Sequence, residues 1–185
     1  VAIVDLSGFY KENNLEDFKK VLIFSFQNIL FFIIPITFLF LFMAQEIIEV
    51  IFVHGKFTTY SLVLTYPVLV FYSLGLFFFC GIKLLVNSFY SLKDTLTPAK
   101  TATFALVVNI ILSAIFIFPL QVAGIALASS LAGLFNFLLL YHLLIKRIGL
   151  IKWEGSLWEV VKLFILGVLT AGAAKVVWMI LGYNK

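Results

Sequence analysis

Side chains able to do chemistry are few in this chain, and their spacing restricts what they could do. Acid–base or metal-assisted reactions inside a membrane need Asp, Glu or His groups that face one another from neighbouring helices. All nine acidic residues lie outside the cores of the long uncharged runs, and His54 and His142 fall near opposite ends of the spans described below. His54 reads as a loop residue and His142 as an interfacial one. The single Cys80 has no internal disulfide partner and sits in apolar sequence, where a thiol packs as a small hydrophobe. No glycine-rich phosphate loop, paired-cysteine site or hydrolase elbow occurs. No catalytic residue, metal site or cofactor is expected.

Two cations stand out instead. Lys83 lies in apolar sequence about nine residues from the expected end of its helix, roughly 14 Å along the axis. A lysine held at depth costs about 2.5–3.5 kcal/mol on insertion scales. Either its stem carries the ammonium to the headgroups, or it supplies positive charge to a water-filled cavity, which makes it the candidate substrate-binding residue. Lys175, about ten residues before the end of the last span, poses the same choice. Asn87, Asn109 and Asn136 are single amides on three spans, suited to interhelical hydrogen bonds. Gly124, Ala128 and Ala132 recur every four residues, a spacing that lets two helix backbones approach closely, and read as a helix-packing face.

The elements that must position these residues are membrane spans. Of 185 residues 63% are hydrophobic and only 12% charged, against about 25% charged in soluble domains. The net charge of +4 is scattered, without the basic run and exposed aromatics of a nucleic-acid surface. The fold class is therefore all-α, a polytopic integral membrane protein with five transmembrane helices. Residues 1–20 form a polar connecting segment, with a helix starting near Leu15. Residues 21–45 carry no charge and exceed the roughly 20 needed to cross a bilayer core; Pro35 should kink this first span. Glu46 to Phe57 forms a short connection whose isoleucines could lie along the lipid surface.

A second span covers residues 59–91. A polar hinge follows, Leu92 to Thr97, after which Thr97 offers a hydroxyl cap and Pro98 a first helical residue. Residues 101–145 have no formal charge and are twice too long for one crossing, so they divide at Pro119 into spans 98–118 and 122–145. A basic loop, 146–162, with Trp153 and Trp158 as interfacial aromatics, precedes a fifth span, 163–183. Nine positive charges fall in the N-terminal segment, hinge and last loop, against two (Lys56, Lys185) in the opposite connections. The positive-inside rule then places the N-terminal end in the cytoplasm and the C-terminal end outside. The chain begins at Val1 without a signal peptide and reads as a piece of something longer.

Several blocks occur in a recognisable order: Leu15-Glu-Asp-Phe18, Ile34-Pro35, Ile51-Phe-Val-His-Gly-Lys-Phe-Thr58, Tyr72-Ser-Leu-Gly-Leu76, Phe89-Tyr-Ser-Leu-Lys-Asp-Thr-Leu-Thr-Pro98 and Ala123-Gly-Ile-Ala-Leu-Ala128. With them the chain resembles the MurJ (MviN) family of bacterial lipid II flippases, within the multidrug, oligosaccharidyl-lipid and polysaccharide exporter superfamily. The resemblance covers residues 1–150. The most specific block is the hinge motif of Phe89, Tyr90, Asp94, Thr97 and Pro98; the last span matches only in being apolar.

The resemblance implies a fourteen-helix template of two lobes around a central cavity, of which this chain would hold helices nine to thirteen. It implies an inner-membrane transporter, not an enzyme, that passes a lipid-linked anionic substrate by alternating access while the lipid tail stays in the bilayer. Its partners would be that substrate, membrane lipids and the remaining helices, and the fifth span would border the tail groove. The family's cavity arginines and acids lie mainly in helices absent here and map onto no residue of this chain. Other expectations stand beside it: a flippase for another lipid-linked polysaccharide or a drug exporter of the same superfamily, and a non-transporting remnant or structural partner.

Overall fold

The computed structural model describes residues 15–52, 58–151 and 157–181. They form helices α1 (Leu15–Phe42), α2 (Ala44–Phe52), α3 (Thr59–Ser91), α4 (Leu96–Ile148) and α5 (Leu157–Ile180), with no strand among them. α1 opens with Glu16 and Asp17 in its first turn, where carboxylates meet the unpaired amides of the helix start. Lys19 and Lys20 pair back to them at 3.3 and 3.0 Å. The helix runs through Pro35 and breaks only at Met43, after which α2 leaves at a new angle as a short amphipathic helix.

A straight helix of 53 residues would reach about 80 Å, far more than a hydrocarbon core of about 30 Å. α4 is instead folded in two at Gln121, whose φ of 52° and ψ of −132° lie outside the helical region, two residues after Pro119. Contacts pair the two sides about Pro119. Asn109 Nδ2 donates to Ser129 Oγ at 3.3 Å, and Phe104 meets Phe135 at 5.5 Å between ring centroids. The arms 96–120 and 122–148 are thus antiparallel neighbours and cross the membrane separately, giving five spans. The fold is tight: a Cβ on Gly124 would stand 2.2 Å from the Phe116 carbonyl oxygen, so only glycine fits there.

α3 and the second arm of α4 pack in parallel. Ser130, Gly133 and Phe137 meet Gly75, Phe79 and Gly81 in register, and added methyls at Gly75 and Gly81 would lie 2.5 Å from Ser130 Oγ and the Phe137 ring. Ser130 Oγ donates to the Phe71 carbonyl at 2.7 Å, one turn before Gly75. Lower on the same contact, Phe18, Leu22 and Phe26 of α1, Leu84, Leu85 and Phe89 of α3, and Phe137, Leu140, Leu144 and Ile148 of α4 close into one buried core. α5 lies against α1, its Gly167 receiving the Phe38 ring and its Phe164 meeting that ring edge-on at 5.6 Å.

α3 stops without a glycine. The Asp94 amide donates to the Phe89 carbonyl and the Lys93 amide to the Tyr90 carbonyl, at 2.9 and 3.0 Å, the paired bonds of a Schellman closure. Lys93 holds the left-handed position at φ 58°, a conformation that costs a residue with a Cβ roughly 1–2 kcal/mol.

Two stability outcomes follow from this geometry. Gly124→Ala should lower thermal stability in detergent by about 1–3 kcal/mol, because a backbone carbonyl cannot rotate away, while Gly172→Ala, with nothing within 4 Å of an added methyl, should not. Lys93→Gly should raise stability by about 1 kcal/mol by removing the left-handed strain; an unchanged or lower melting temperature would show that Lys93 is held there by contacts worth more than the strain.

Candidate functional site

The hinge is built around one carboxylate. Asp94 Oδ1 accepts the Thr97 amide at 3.0 Å and Oδ2 accepts the Thr97 hydroxyl at 2.8 Å. Asp94, and not the Thr97 hydroxyl expected from sequence, therefore caps the start of α4; the hydroxyl is spent on the carboxylate. Pro98 sits in the first turn, where amide hydrogens lack helical partners anyway, and is buried. Arg147, at the far foot of the α4 hairpin, donates through Nη1 to Asp94 Oδ2. Thus a single residue ends α3 with its amide, starts α4 with one oxygen and ties the hairpin's two feet with the other.

These bonds set the electrostatics. The Thr97 amide and hydroxyl, with a smaller contribution from Arg147, hold the Asp94 carboxyl below the usual carboxylate range, and partial burial opposes them. The Asp94 side chain is 16% exposed and that of Arg147 44%, so the ion pair is half in water and adds less than the cap. Of the other hinge-motif residues, Phe89 is buried in the core beneath, while Tyr90 is exposed beside it.

The remaining candidates are dispersed. Lys83 is exposed on α3 on the side away from buried Leu84 and Leu85, and nothing pairs with it among the described residues. Gly124, Ala128 and Ala132 are buried on the second arm of α4. Gly124 meets the hairpin's own first arm, whereas the closest approach to another helix uses Gly75 and Gly81 of α3. Their spacing of six matches no simple repeat, but two glycines in an otherwise bulky span were the available signal. Asn109 bridges the α4 arms and accepts from Ser113 Oγ at 2.9 Å; Asn136 is buried with Oδ1 accepting no hydrogen bond. His142 is exposed, and His54 and Trp153 lie outside the described residues. Among the described residues, no three His, Cys, Asp or Glu side chains gather.

Sequence reasoning missed a second charged centre, at the end of the bundle opposite the hinge. Lys175 Nζ lies 2.8 Å from Glu46 Oε1 and 3.5 Å from the Phe42 carbonyl oxygen. The last span thereby joins the corner where α1 turns into α2. Glu46 follows Lys175 by no helical spacing, being 129 positions earlier, so only the folded chain pairs them.

Comparison with known proteins supplies the frame for this arrangement. Residues 1–185 match the family model described as "Lipid II flippase MurJ". A probable lipid II flippase MurJ of Buchnera aphidicola subsp. Acyrthosiphon pisum is 35% identical over 147 residues, which cover 80% of this chain and 29% of that protein. One from Vibrio cholerae is 30% identical across 94% of this chain and 33% of its own length. The fold is similar to a solved lipid II flippase MurJ in an inward closed conformation, with a TM-score of 0.71 and 27% identity over 98% of this chain and 43% of that one. The chain thus spans about a third of the curated relatives it matches. With a family match along residues 1–185 and a similar helical fold, this multi-pass membrane chain belongs to the lipid II flippase MurJ family.

Proposed function

We propose that this chain is part of a transporter that moves a lipid-linked anionic precursor of peptidoglycan, lipid II or a close analogue, from the cytoplasmic to the outer leaflet of the bacterial inner membrane. The observation that carries the reading is the family match along residues 1–185. Transport proceeds by alternating access, with the remaining helices of the transporter completing the cavity around these five. The nine-to-two distribution of positive charge supports an orientation with the hinge end in the cytoplasm and the Glu46 end outside. In that orientation Phe89, Tyr90, Asp94, Thr97 and Pro98 form a cytoplasmic joint that makes α3 and the α4 hairpin move together. Gly124, Ala128 and Ala132 keep the hairpin compact.

Lys83 serves as a cavity cation that meets the substrate's phosphates. Its exposure away from the buried core and its lack of a partner among the described residues support this role. A lysine left unpaired against hydrocarbon would be costly, whereas a hydrated, anion-bearing cavity removes that cost.

The cargo is tested in cells that depend on the protein containing this chain. Depleting it should trap lipid II in the inner leaflet, read as loss of its accessibility to an externally added hydrolase. If lipid II still reaches the outer leaflet while another lipid-linked glycan accumulates inside, the cargo assignment fails. Lys83→Ala should slow externalisation about tenfold, the worth of one charge-assisted hydrogen bond, with Lys83→Arg largely active; a wild-type rate for the alanine variant would place Lys83 against lipid instead.

The joint has a pH signature. Because Asp94 titrates lower in the folded state than its unfolded value near 3.9, its stabilisation is complete above that value and is lost as pH falls through its folded one. Asp94→Ala should cost about 1 kcal/mol at neutral pH, as for loss of a helix cap, and the difference in melting temperature should narrow progressively as pH falls below about 4.

A further inference from the structure

The Glu46–Lys175 pair stands where two cavities meet. On one side a groove of about 300 Å³ runs along α5 past Val168, Ala171, Gly172, Val176 and Met179. Its lining is almost wholly apolar, and beside Gly172 it is open: an added Cβ would meet nothing within 4 Å. On the other side a pocket of about 170 Å³ is lined by Gln45, Glu46, Tyr66 and Lys175 together with apolar groups of α1 and α3. Phe42 and Lys175 belong to both. An apolar groove adjoining a polar pocket at Phe42 and Lys175 fits an amphipathic occupant from the bilayer.

The unused hydrogen-bonding capacity identifies its head. A lysine ammonium has three donors; Lys175 spends one on Glu46 and directs another at the Phe42 carbonyl, which leaves a donor for an anion. An ionised carboxylate offers about four acceptor positions, and Lys175 occupies one at Glu46 Oε1. The chamber therefore presents one positive and one negative pole side by side, with an amide and a phenol beside them. A purely anionic head would gain from Lys175 and be repelled by Glu46.

We propose that this corner is a binding site for a bilayer phospholipid whose headgroup carries both a phosphate and a primary amine, as in phosphatidylethanolamine. The phosphate accepts from Lys175, the ammonium donates to Glu46, and an acyl chain lies in the apolar groove that runs past Gly172 along α5. The site lies on the α1–α2–α5 corner, apart from Lys83 and from the hinge, and does not depend on which glycolipid the protein carries.

The test uses the full-length protein purified in lipid nanodiscs or mild detergent and native mass spectrometry of retained lipid. Equimolar phosphatidylethanolamine, phosphatidylcholine and phosphatidylglycerol are the probes. Phosphatidylethanolamine should be retained about tenfold over phosphatidylcholine, whose quaternary amine has no N–H to donate, and over phosphatidylglycerol, which has no amine. Glu46→Gln should erase the preference. Gly172→Leu should expel the lipid while leaving the ion pair and fold intact, which keeps the test informative where Glu46→Gln misfolds. Equal retention of the three lipids, a preference for phosphatidylglycerol, or an ethanolamine preference unchanged in Gly172→Leu would each overturn the assignment.

Discussion

Close packing among three helices at the hinge end is the interaction on which everything else rests. Lipid tails are as apolar as leucine, so burying a side chain against another helix gains little from the hydrophobic effect within the bilayer. What distinguishes helix from lipid as a neighbour is fit. Phe18, Leu22 and Phe26, Leu84, Leu85 and Phe89, and Leu140, Leu144 and Ile148 supply interlocking shapes, and the Phe137 ring reaches further by occupying the space that Gly81 leaves vacant. Higher up, Gly75 exposes backbone to Ser130, and a hydrogen bond replaces bulk as the source of contact.

Polar ties then work at the two ends of this apolar body. The Asp94 bonds fix the feet of the hairpin to the end of α3, and Glu46 with Lys175 fixes the last span to the corner of α1 and α2. Each pair joins segments far apart in sequence, and each keeps one partner more than 40% exposed. The desolvation that makes fully buried ion pairs expensive is therefore only partial. Their value is in choosing neighbours more than in raw stabilisation.

The spans themselves were readable because absence of charge over 20 or more residues has one ready meaning in a helical chain. The division of residues 101–145 was equally readable, since Pro119 sits midway and no single span is that long. Other features left no trace of the right kind. A lysine in the left-handed position, as at Lys93, does the work usually given to glycine, so the Schellman closure was invisible. Thr97 and Asp94 are both good capping residues, and only geometry decides which serves. The partner of Lys175 was hidden by distance along the chain, and the direction of Lys83 by an apolar surround that gives no amphipathic stripe to orient it.

The hairpin of α4 also bears on how such a chain enters its membrane during synthesis. Its feet carry Lys93 and Lys100 on one side and Lys146 and Arg147 on the other, while the fold at Phe118 to Val122 has no charge at all. Neither arm has a signal of its own to hold the fold in water, and all four cations resist translocation alike. The two arms pack through Gly124 and are bridged by Asn109, contacts that need no other helix. The hairpin is suited to inserting as one unit, so the direction of two spans is settled in a single event by the charges at its base.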